Sequence, residues 1–282
     1  MMDASKTESH GFAFDRPDDY VGNPAQREMQ QRAYRLWRSV SSDPRYAYEG
    51  RLVALDGSTP DTIDDFLFLI REQFAGLSWY MKADDEVALT EKLTAMGYVI
   101  DRWDHHLGAE EALRAAEQLC GETSLPEGYE IHEIIADTPH AVIVELASVG
   151  AEQGVMVPAA HVMRGATRLA TIMYVTAPNG PIVSIAGSVL AHHRDSSLAA
   201  SAWWGMLCTH PDHRGKGLSK LLGARTMLAM AERHGATSFY TGIRRENAVS
   251  QAVCTRLGVH RTEYAVVMAM NVQAAGGGPL TR

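Results

Sequence analysis

The most informative stretch of the sequence is Arg214-Gly215-Lys216-Gly217-Leu218-Ser219. It follows an apolar segment, 202–209, that predicts a β-strand, and it precedes leucines at helical spacing that continue to a stop at Gly235. A glycine loop between a strand and a helix exposes backbone N–H groups at the positive end of the helix dipole. Its own basic side chains and Lys220 add positive charge. The stretch therefore predicts a diphosphate site, the alternative being an ordinary glycine turn among solvated basic residues.

The segments on both sides of this loop alternate between strand and helix patterns. Upstream we predict a strand at 129–135, a helix at 139–150, a helical stretch near 161–169, and strands at 171–176 and 182–192 joined by a turn at Pro178-Asn179-Gly180-Pro181. Downstream we predict a strand at 239–243, a helix capped by Asn247 and ended by Gly258, and a last strand at 263–270. Trp203 and Trp204 are expected to lie in the core or on a sheet face.

The N-terminal part shows a similar order of elements. We predict helices at 24–40, 63–74, 86–96 and 108–126, with strands at 78–81 and 98–100, and a connector at 125–128. Setting Gly97 over Gly258 superposes Trp79 on Tyr240, so this part is interpreted as a degenerate copy of the C-terminal unit, or else as an independent unit of a common type. No glycine loop precedes the first copy, so only the second is expected to bind a diphosphate.

The loop and the pattern around it resemble the GNAT superfamily of acyl-CoA N-acyltransferases. The family signature Q/R-x-x-G-x-G/A reads here Arg214-x-x-Gly217-x-Ser219, with Ser where Gly or Ala is usual. The resemblance implies an α/β (α+β) fold with a mixed, mostly antiparallel central sheet flanked by helices, preceded by a smaller α/β region. The implied domains are a degenerate GNAT-like region at 1–126, an acetyltransferase domain at 127–273 and a flexible tail at 274–282.

The resemblance also implies where acetyl-CoA would bind. The strand before the loop would bond the pantetheine arm as an added strand, and a backbone N–H on it, at Cys208 or Leu207, would polarise the thioester carbonyl. The implied contacts are Leu207, Cys208, Thr209, Arg214, Gly215, Lys216, Gly217, Leu218, Ser219 and, facing the CoA arm, Asn247.

The catalytic groups are less clear from the sequence. The family's usual general acid is a Tyr seven residues after the Asn of the last helix, and here that position is Cys254. A thiol can protonate a thiolate, although a cysteine on an apolar helix face is also an ordinary core residue. Tyr240, Tyr264 or water are the alternatives. For the base, the candidates with useful titration ranges are His192 and His193 beside Asp195, and His210 beside the loop.

Composition limits the remaining classes. The 282 residues are 46% hydrophobic and carry a net charge of −8, which favours two units and disfavours nucleic acid as a partner. No apolar run is long enough to cross a bilayer and no export signal is evident, so a cytoplasmic location is expected. Three widely spaced cysteines argue against a disulfide framework or a zinc site. Asp101-x-x-Asp104-His105-His106 is interpreted as a solvated loop, Arg244 and Arg245 as solvated, and no metal is predicted.

The sequence thus predicts an N-acetyltransferase that moves an acetyl group from acetyl-CoA to an amine, on a small molecule or peptide, by direct attack in a ternary complex. Two alternatives stay open: an acyl-CoA sensor or interaction protein that has lost catalysis with the missing Tyr, and an acyltransferase with a hydroxyl or thiol acceptor. A homodimer is compatible with this interpretation.

Overall fold

The described part of the protein, given by a computed structural model, comprises residues 15–178 and 180–271. Asn179 of the predicted turn and the predicted tail at 274–282 lie outside the described residues. The helices are α1 (Pro24–Val40), α2 (Ile63–Gln73), α3 (Ala83–Ala95), α4 (Glu110–Glu122), α5 (His140–Glu152), α6 (Ala160–Met163), α7 (Leu218–His234) and α8 (Ala248–Arg256). The strands are β1 (Tyr46–Tyr48), β2 (Val53–Ser58), β3 (Ala75–Lys82), β4 (Val99–Gly108), β5 (Glu130–Glu133), β6 (Ala170–Thr176), β7 (Ile182–Val189), β8 (Ser201–Thr209), β9 (Ser238–Ile243) and β10 (His260–Met270).

The helix ends follow the local chemistry that the sequence encodes. Pro24 follows the cap Asn23, whose side chain accepts a hydrogen bond from Gln26 N, and this capping box starts α1 where it was predicted. Gly235 ends α7 in the left-handed conformation, which a residue without a Cβ adopts at little cost. Asn247 caps α8 by accepting from Ser250 N at 3.0 Å.

The strands of the described residues form one ten-stranded sheet in the order β1-β2-β3-β10-β4-β9-β8-β7-β6-β5. Only the pairs β2–β3 and β8–β9 are parallel. The predicted fold class, a mixed and mostly antiparallel sheet flanked by helices, is therefore confirmed. The hairpin of β6 and β7 is confirmed as well, since the two strands pair antiparallel from Ala170↔Val189 to Thr176↔Ile182. In the described residues no helix combines the length and apolarity needed to cross a bilayer.

The two similar units exchange their last strands. The succession β1-β2-α2-β3-α3-β4 repeats in β7-β8-α7-β9-α8-β10, and β10 lies between β3 and β4 while β4 lies between β9 and β10. Asp104 pairs directly with Ala265, and these two residues are as far apart in sequence as Gly97 and Gly258. The sheet is therefore related to itself by an approximate twofold axis between β4 and β10. The boundary predicted near residue 126 stays a prediction, because strands from both of its sides share this sheet.

The segment 101–106 corrects one prediction. It was interpreted as a solvated loop, but it lies inside β4, and Asp104, His105 and His106 are buried. Since strands border β4 on both sides, its side chains reach partners distant in sequence that no local pattern reveals, as His105 Nδ1 does at Thr262 Oγ1.

The solvated role predicted for Arg244 is wrong for the same reason, whereas Arg245 is exposed as predicted although it is also ion-paired. Arg244 forms a two-bond ion pair with Asp101, and Arg245 bonds Asp104 at 3.0 Å. Both carboxylates belong to β4, so the arginines complete the surroundings of that strand. The short strands β1 and β2 were not predicted at all.

Candidate active site at the parting of two parallel strands

Strands β8 and β9 separate part-way along their length. They pair in parallel at Ser201↔Ser238, Ala202↔Phe239 and Trp203↔Tyr240, and no later pair joins them in the described residues. Residues 204–209 of β8 thus lack a strand neighbour on that side, and we call this gap the β8–β9 opening. The equivalent strands of the first unit stay paired to Ser58↔Met81, where both are ending, so that unit has no such opening.

A β-bulge lies in β8 at the start of the opening. Two residues, Met206 and Leu207, oppose Ala186 alone on β7, and Met206 adopts a φ of 60°. A left-handed conformation in a non-glycine residue is strained, and such strain is typical of functional sites. Gly187 makes room for the bulge, since a Cβ on it would lie 2.6 Å from Met206 Cε. The bulge redirects the backbone of β8 where the opening begins.

The backbone groups beyond the bulge alternate in direction. The carbonyl of Cys208 accepts from Ser184 Oγ at 2.8 Å, and His210 N donates to Val183 O, so both residues turn their backbone toward β7. Strand alternation then directs the backbone of Leu207 and Thr209 into the opening. The Thr209 carbonyl indeed accepts from Arg214 Nε on that side. Of the three predicted pantetheine contacts, the structure thus turns Leu207 and Thr209 toward the opening and Cys208 away from it.

The glycine loop leads from β8 into α7. Gly215 and Gly217 have φ values of 80° and 74°, and a Cβ on either would meet only open space or the far end of one lysine side chain. Gly217 is the N-cap of α7, so the first helical N–H groups face outward from Leu218 and Ser219. Left-handed glycines, free space and a helix N-terminus fit a diphosphate.

The loop is held in place by its neighbours. Arg214 donates to the Thr209 carbonyl at 3.1 Å and to Gln153 Oε1 at 2.7 Å. Behind the loop, Trp204 Nε1 donates to the carbonyl of Gly223, and a Cβ on Gly223 would lie 2.8 Å from the Trp204 ring. The missing side chain therefore allows α7 to pack closely against β8, which fixes the position of the helix N-terminus.

The predicted acid at Cys254 is a core residue of α8. Its side chain is buried in an apolar cluster with α4 and α7, among residues such as Ala116 and Met227. Burial raises the pKa of the Cys254 thiol to about 12. Asn247, which was expected to face the CoA arm, is exposed and uses its side-chain oxygen as the cap of α8.

Tyr240 is the last residue of β9 that pairs with β8. Its ring meets that of Trp79 with centroids 5.3 Å apart, and its buried hydroxyl has no hydrogen-bond partner in the described residues. Burial raises the pKa of this phenol well above 10. Tyr240 therefore stays protonated over the whole working range of pH.

The predicted histidine bases occupy different places. His192 is buried, bonds Asp56 through Nδ1 at 2.5 Å, and places its ring 5.1 Å from that of Tyr240, while its Nε2 has no partner in the described residues. The other oxygen of Asp56 accepts from Ser196 Oγ at 2.6 Å. His210, by contrast, lies beside the glycine loop and accepts from Asp212 N. These two predicted bases are thus separated by most of the length of β8.

A pocket of about 180 Å³ lies at the parting point. Its walls combine strand residues from both units with two covering loops, at 49–52 and 155–156. The lining consists of Glu49, Arg51, Leu52, Leu77, Trp79, Trp103, Val155, Met156, Trp203, Gly205, Met206, Thr241, Gly242, Val266 and Met268. We call it the central pocket.

Two charged residues in the central pocket were missed by the sequence analysis. Glu49 is 1% exposed, and its Oε1 accepts from Arg51 Nε at 2.7 Å. The Arg51 guanidinium also lies over the Trp203 ring, 4.3 Å from the centroid. Both residues belong to the link between β1 and β2, where an isolated Glu-Gly-Arg carries no motif. Only the position of that link beside β8 shows that it borders the site.

The comparisons with known proteins agree with this geometry. Residues 166–259 match the model of the family described as Acetyltransferase (GNAT) family. No curated protein matches the chain significantly. No group of three or more His, Cys, Asp or Glu side chains suited to a metal occurs in the described residues, and the absence of a metal stays a prediction.

Two solved structures share the fold at low sequence identity. A GCN5-related N-acetyltransferase from Kribbella flavida has a TM-score of 0.52 and 15% identity, and the alignment covers 86% of this chain and 95% of that one. A GCN5-related N-acetyltransferase-like protein from Streptococcus suis 89/1591 has a TM-score of 0.50 and 17% identity, over 82% and 85% of the two chains. Residues 166–259 are therefore similar to the acetyltransferase (GNAT) family, and the chain shares its fold with these two GCN5-related N-acetyltransferase structures.

Proposed function

We propose that the protein is an acetyl-CoA-dependent N-acetyltransferase that transfers the acetyl group directly to an amine in a ternary complex. One observation carries this proposal: β8 and β9 part after Trp203↔Tyr240, with the glycine loop at one end of the opening and the central pocket at the other. A long, thin thioester laid in that opening reaches from an anion site to an enclosed pocket. That is the arrangement needed to bring an acyl group to an acceptor.

The backbone directions support the following arrangement of acetyl-CoA. The diphosphate binds the N–H groups of Gly215, Gly217 and the start of α7, with Lys216 and the Ser219 hydroxyl nearby. The pantetheine arm bonds the backbone of Leu207 and Thr209, which face the opening, and the Asn247 amide group remains able to donate to the arm. At the bulge, the Leu207 N–H polarises the thioester carbonyl and stabilises the developing oxyanion.

The transfer needs a base and an acid. An alkylamine with a pKa of about 10.4 is mostly protonated at neutral pH and must lose a proton before it attacks. We assign this proton to Glu49 Oε2, the carboxylate oxygen that does not bond Arg51 and accepts only a long bond, of 3.5 Å, from Leu52 N. The amine nitrogen then bonds the carbonyl carbon, the C–S bond breaks, and the Tyr240 hydroxyl gives its proton to the departing thiolate. The second proton, which the nitrogen loses as it becomes an amide, returns to the Tyr240 phenolate. We assign this role to Tyr240 rather than Cys254 because the Tyr240 ring meets that of Trp79 in the pocket wall, whereas Cys254 belongs to an apolar cluster with residues of α4 and α7.

A turnover assay tests the proposal. The protein is incubated with acetyl-CoA and a panel of amines, released CoA is measured with a thiol reagent, and the acetylated product is identified by mass. We expect amine-dependent CoA release, reduced about 10²-fold in kcat by Glu49→Gln because the general base is lost. Glu72→Gln, which changes an exposed partner of Arg71, is the matched control and should keep the native rate.

Other results of the same assay would support one of the two alternative functions. Acetyl-CoA binding without CoA release for any amine would contradict the enzyme and favour an acyl-CoA sensor. An ester or thioester product would identify a hydroxyl or thiol acceptor instead. The cytoplasmic location and the homodimer stay predictions.

A further inference from the structure

We propose that the acceptor is an α-amino acid with an apolar side chain, bound in the central pocket through both its ammonium and its carboxylate group. This inference rests on the proposed function and specifies its acceptor. It starts from Arg51, whose side chain makes a single hydrogen bond within residues 15–178 and 180–271, from Nε to Glu49. The two terminal amino groups of Arg51 have no partner in the described residues, although the side chain is only 16% exposed.

Arg51 is held ready to bind an anion. Glu49 fixes the guanidinium at Nε, and the Trp203 ring supports its face at 4.3 Å. A guanidinium fixed in this way presents its terminal amino groups as a planar fork, which matches the two oxygens of a carboxylate. The fork borders the pocket in which the acetyl group is transferred. A carboxylate on the acceptor would therefore accept hydrogen bonds from both terminal amino groups of Arg51.

Charge balance favours a zwitterion over a simple amine. Glu49 and Arg51 form a neutral pair, and no other charged side chain lines the central pocket in the described part of the chain. A monovalent amine or acid would bring an uncompensated charge into a site with little water, which is costly. An amino acid brings no uncompensated charge, because its ammonium group pairs with Glu49 Oε2 and its carboxylate group pairs with Arg51.

The remaining walls select the side chain of the acceptor. Trp79, Trp103 and Trp203 surround the pocket with aliphatic and methionine side chains, and two glycines and Thr241 complete the uncharged lining. The volume of about 180 Å³ is below the roughly 300 Å³ at which drug-sized sites begin. These walls fit a small apolar side chain such as that of leucine or phenylalanine. The α-amine of this molecule is the nitrogen that forms the new C–N bond.

Matched probes test the contributions of the acceptor's charged groups and of its side chain separately. The first set is L-leucine, L-leucinamide and 3-methylbutylamine, which share one side chain and lose the carboxylate in two ways. L-Phenylalanine with its amide and phenethylamine forms the second set, and L-aspartate tests the apolar walls. Both turnover with acetyl-CoA and calorimetric binding to the protein saturated with CoA are measured for every probe.

We expect leucine or phenylalanine to exceed its amide and its decarboxylated amine by at least about tenfold in kcat/KM and in affinity, and aspartate to be poor. Arg51→Gln should remove this preference, and Arg51→Lys, which keeps the charge but not the fork, should reduce it. Arg71→Gln is the control, since it removes another ion-paired arginine outside the pocket. Equal or better use of the amides or simple amines, with CoA released, would overturn the inference and leave the proposed function standing. Selective binding of the amino acids without CoA release would support the ligand class and contradict the proposed function.

Discussion

Trp79 and Tyr240 occupy equivalent positions in the two repeated units, and their rings meet edge to face with centroids 5.3 Å apart. The strands that carry them differ in one respect. Past Trp79, β3 stays paired with β2 to Ser58↔Met81, whereas past Tyr240, β9 leaves β8. The loop after β2 also has no glycine and places Asp61, Asp64 and Asp65 near the start of α2. In the described residues only the second unit thus combines a strand opening with a glycine loop, and the first unit contributes to the wall of the pocket.

The Tyr240 hydroxyl is the first prediction. Tyr240→Phe removes only the oxygen atom, so packing against Trp79 is kept while the proposed proton donor is lost. We expect kcat to fall about 10²-fold with the affinity for acetyl-CoA nearly unchanged. Steady-state kinetics together with calorimetry measure the two quantities separately.

Cys254→Ala is the matched comparison for this variant. Because the Cys254 thiol is buried beside α4 and its pKa is about 12, we expect kcat within about twofold of the native value. The substitution should cost about 1 kcal/mol of unfolding free energy, since it removes one buried atom. If Cys254→Ala abolished turnover while Tyr240→Phe did not, the assignment of the acid would be reversed.

Close packing of α7 on β8 is a second point to test. A Cβ on Gly223 would lie 2.8 Å from the Trp204 ring and 3.0 Å from Leu207 Cδ2. Gly223→Ala should therefore lower the unfolding free energy by about 1 to 3 kcal/mol and weaken acetyl-CoA binding, because the helix N-terminus shifts. Urea denaturation and calorimetry provide the measurements.

Gly121 supplies the control for that substitution. It also lies in a helix, α4, but a Cβ there would contact nothing within 4 Å. Gly121→Ala should raise stability by up to about 1 kcal/mol through helix propensity. Equal effects of the two substitutions would show that contact with Trp204 and Leu207 does not set the position of α7.

Acid stability provides a third prediction. Burial lowers the pKa of His105 to about 3, below its usual 6.5, so the folded protein holds this ring neutral. As the pH falls from 6.5 toward 3, the unfolded chain takes up the proton more readily, and the unfolding free energy decreases. His105→Gln should reduce the loss between pH 7 and pH 5 by about 1 to 2 kcal/mol.

The control for His105 is a histidine on the surface. His260 is exposed at the start of β10, and His260→Gln should leave the loss of stability between pH 7 and pH 5 close to that of the native chain. Urea denaturation at the two pH values compares the variants. An undiminished loss in His105→Gln would contradict the prediction.

The sequence predicted the parts of the site that depend on local conformation. The glycine loop, the caps of α1 and α8 and the strand before the loop depend on neighbours within a few residues, and their residue types reveal them. The fold class followed because the order of elements was evident from the same patterns.

The parts that depend on distant neighbours were not predictable in this way. Glu49 and Arg51 reach the central pocket only because the first unit borders β8, and the polar residues of β4 are buried only because β9 and β10 pair with that strand. The Met206 bulge is equally hidden, since it arises from the register of β7 and β8. The pairing of strands between the two units thus determines most of the contacts that the sequence patterns did not predict.

The most direct test of the central claim is calorimetric titration of acetyl-CoA into three proteins: the native chain, Gly217→Glu and Gly235→Glu. Both glycines are left-handed and lie at opposite ends of α7 with open space around them, so the two substitutions impose similar backbone strain. We predict one acetyl-CoA per native chain, unchanged affinity in Gly235→Glu, and at least about tenfold weaker binding in Gly217→Glu, whose carboxylate would face the diphosphate. Two sites per chain, or native affinity in Gly217→Glu, would contradict the account.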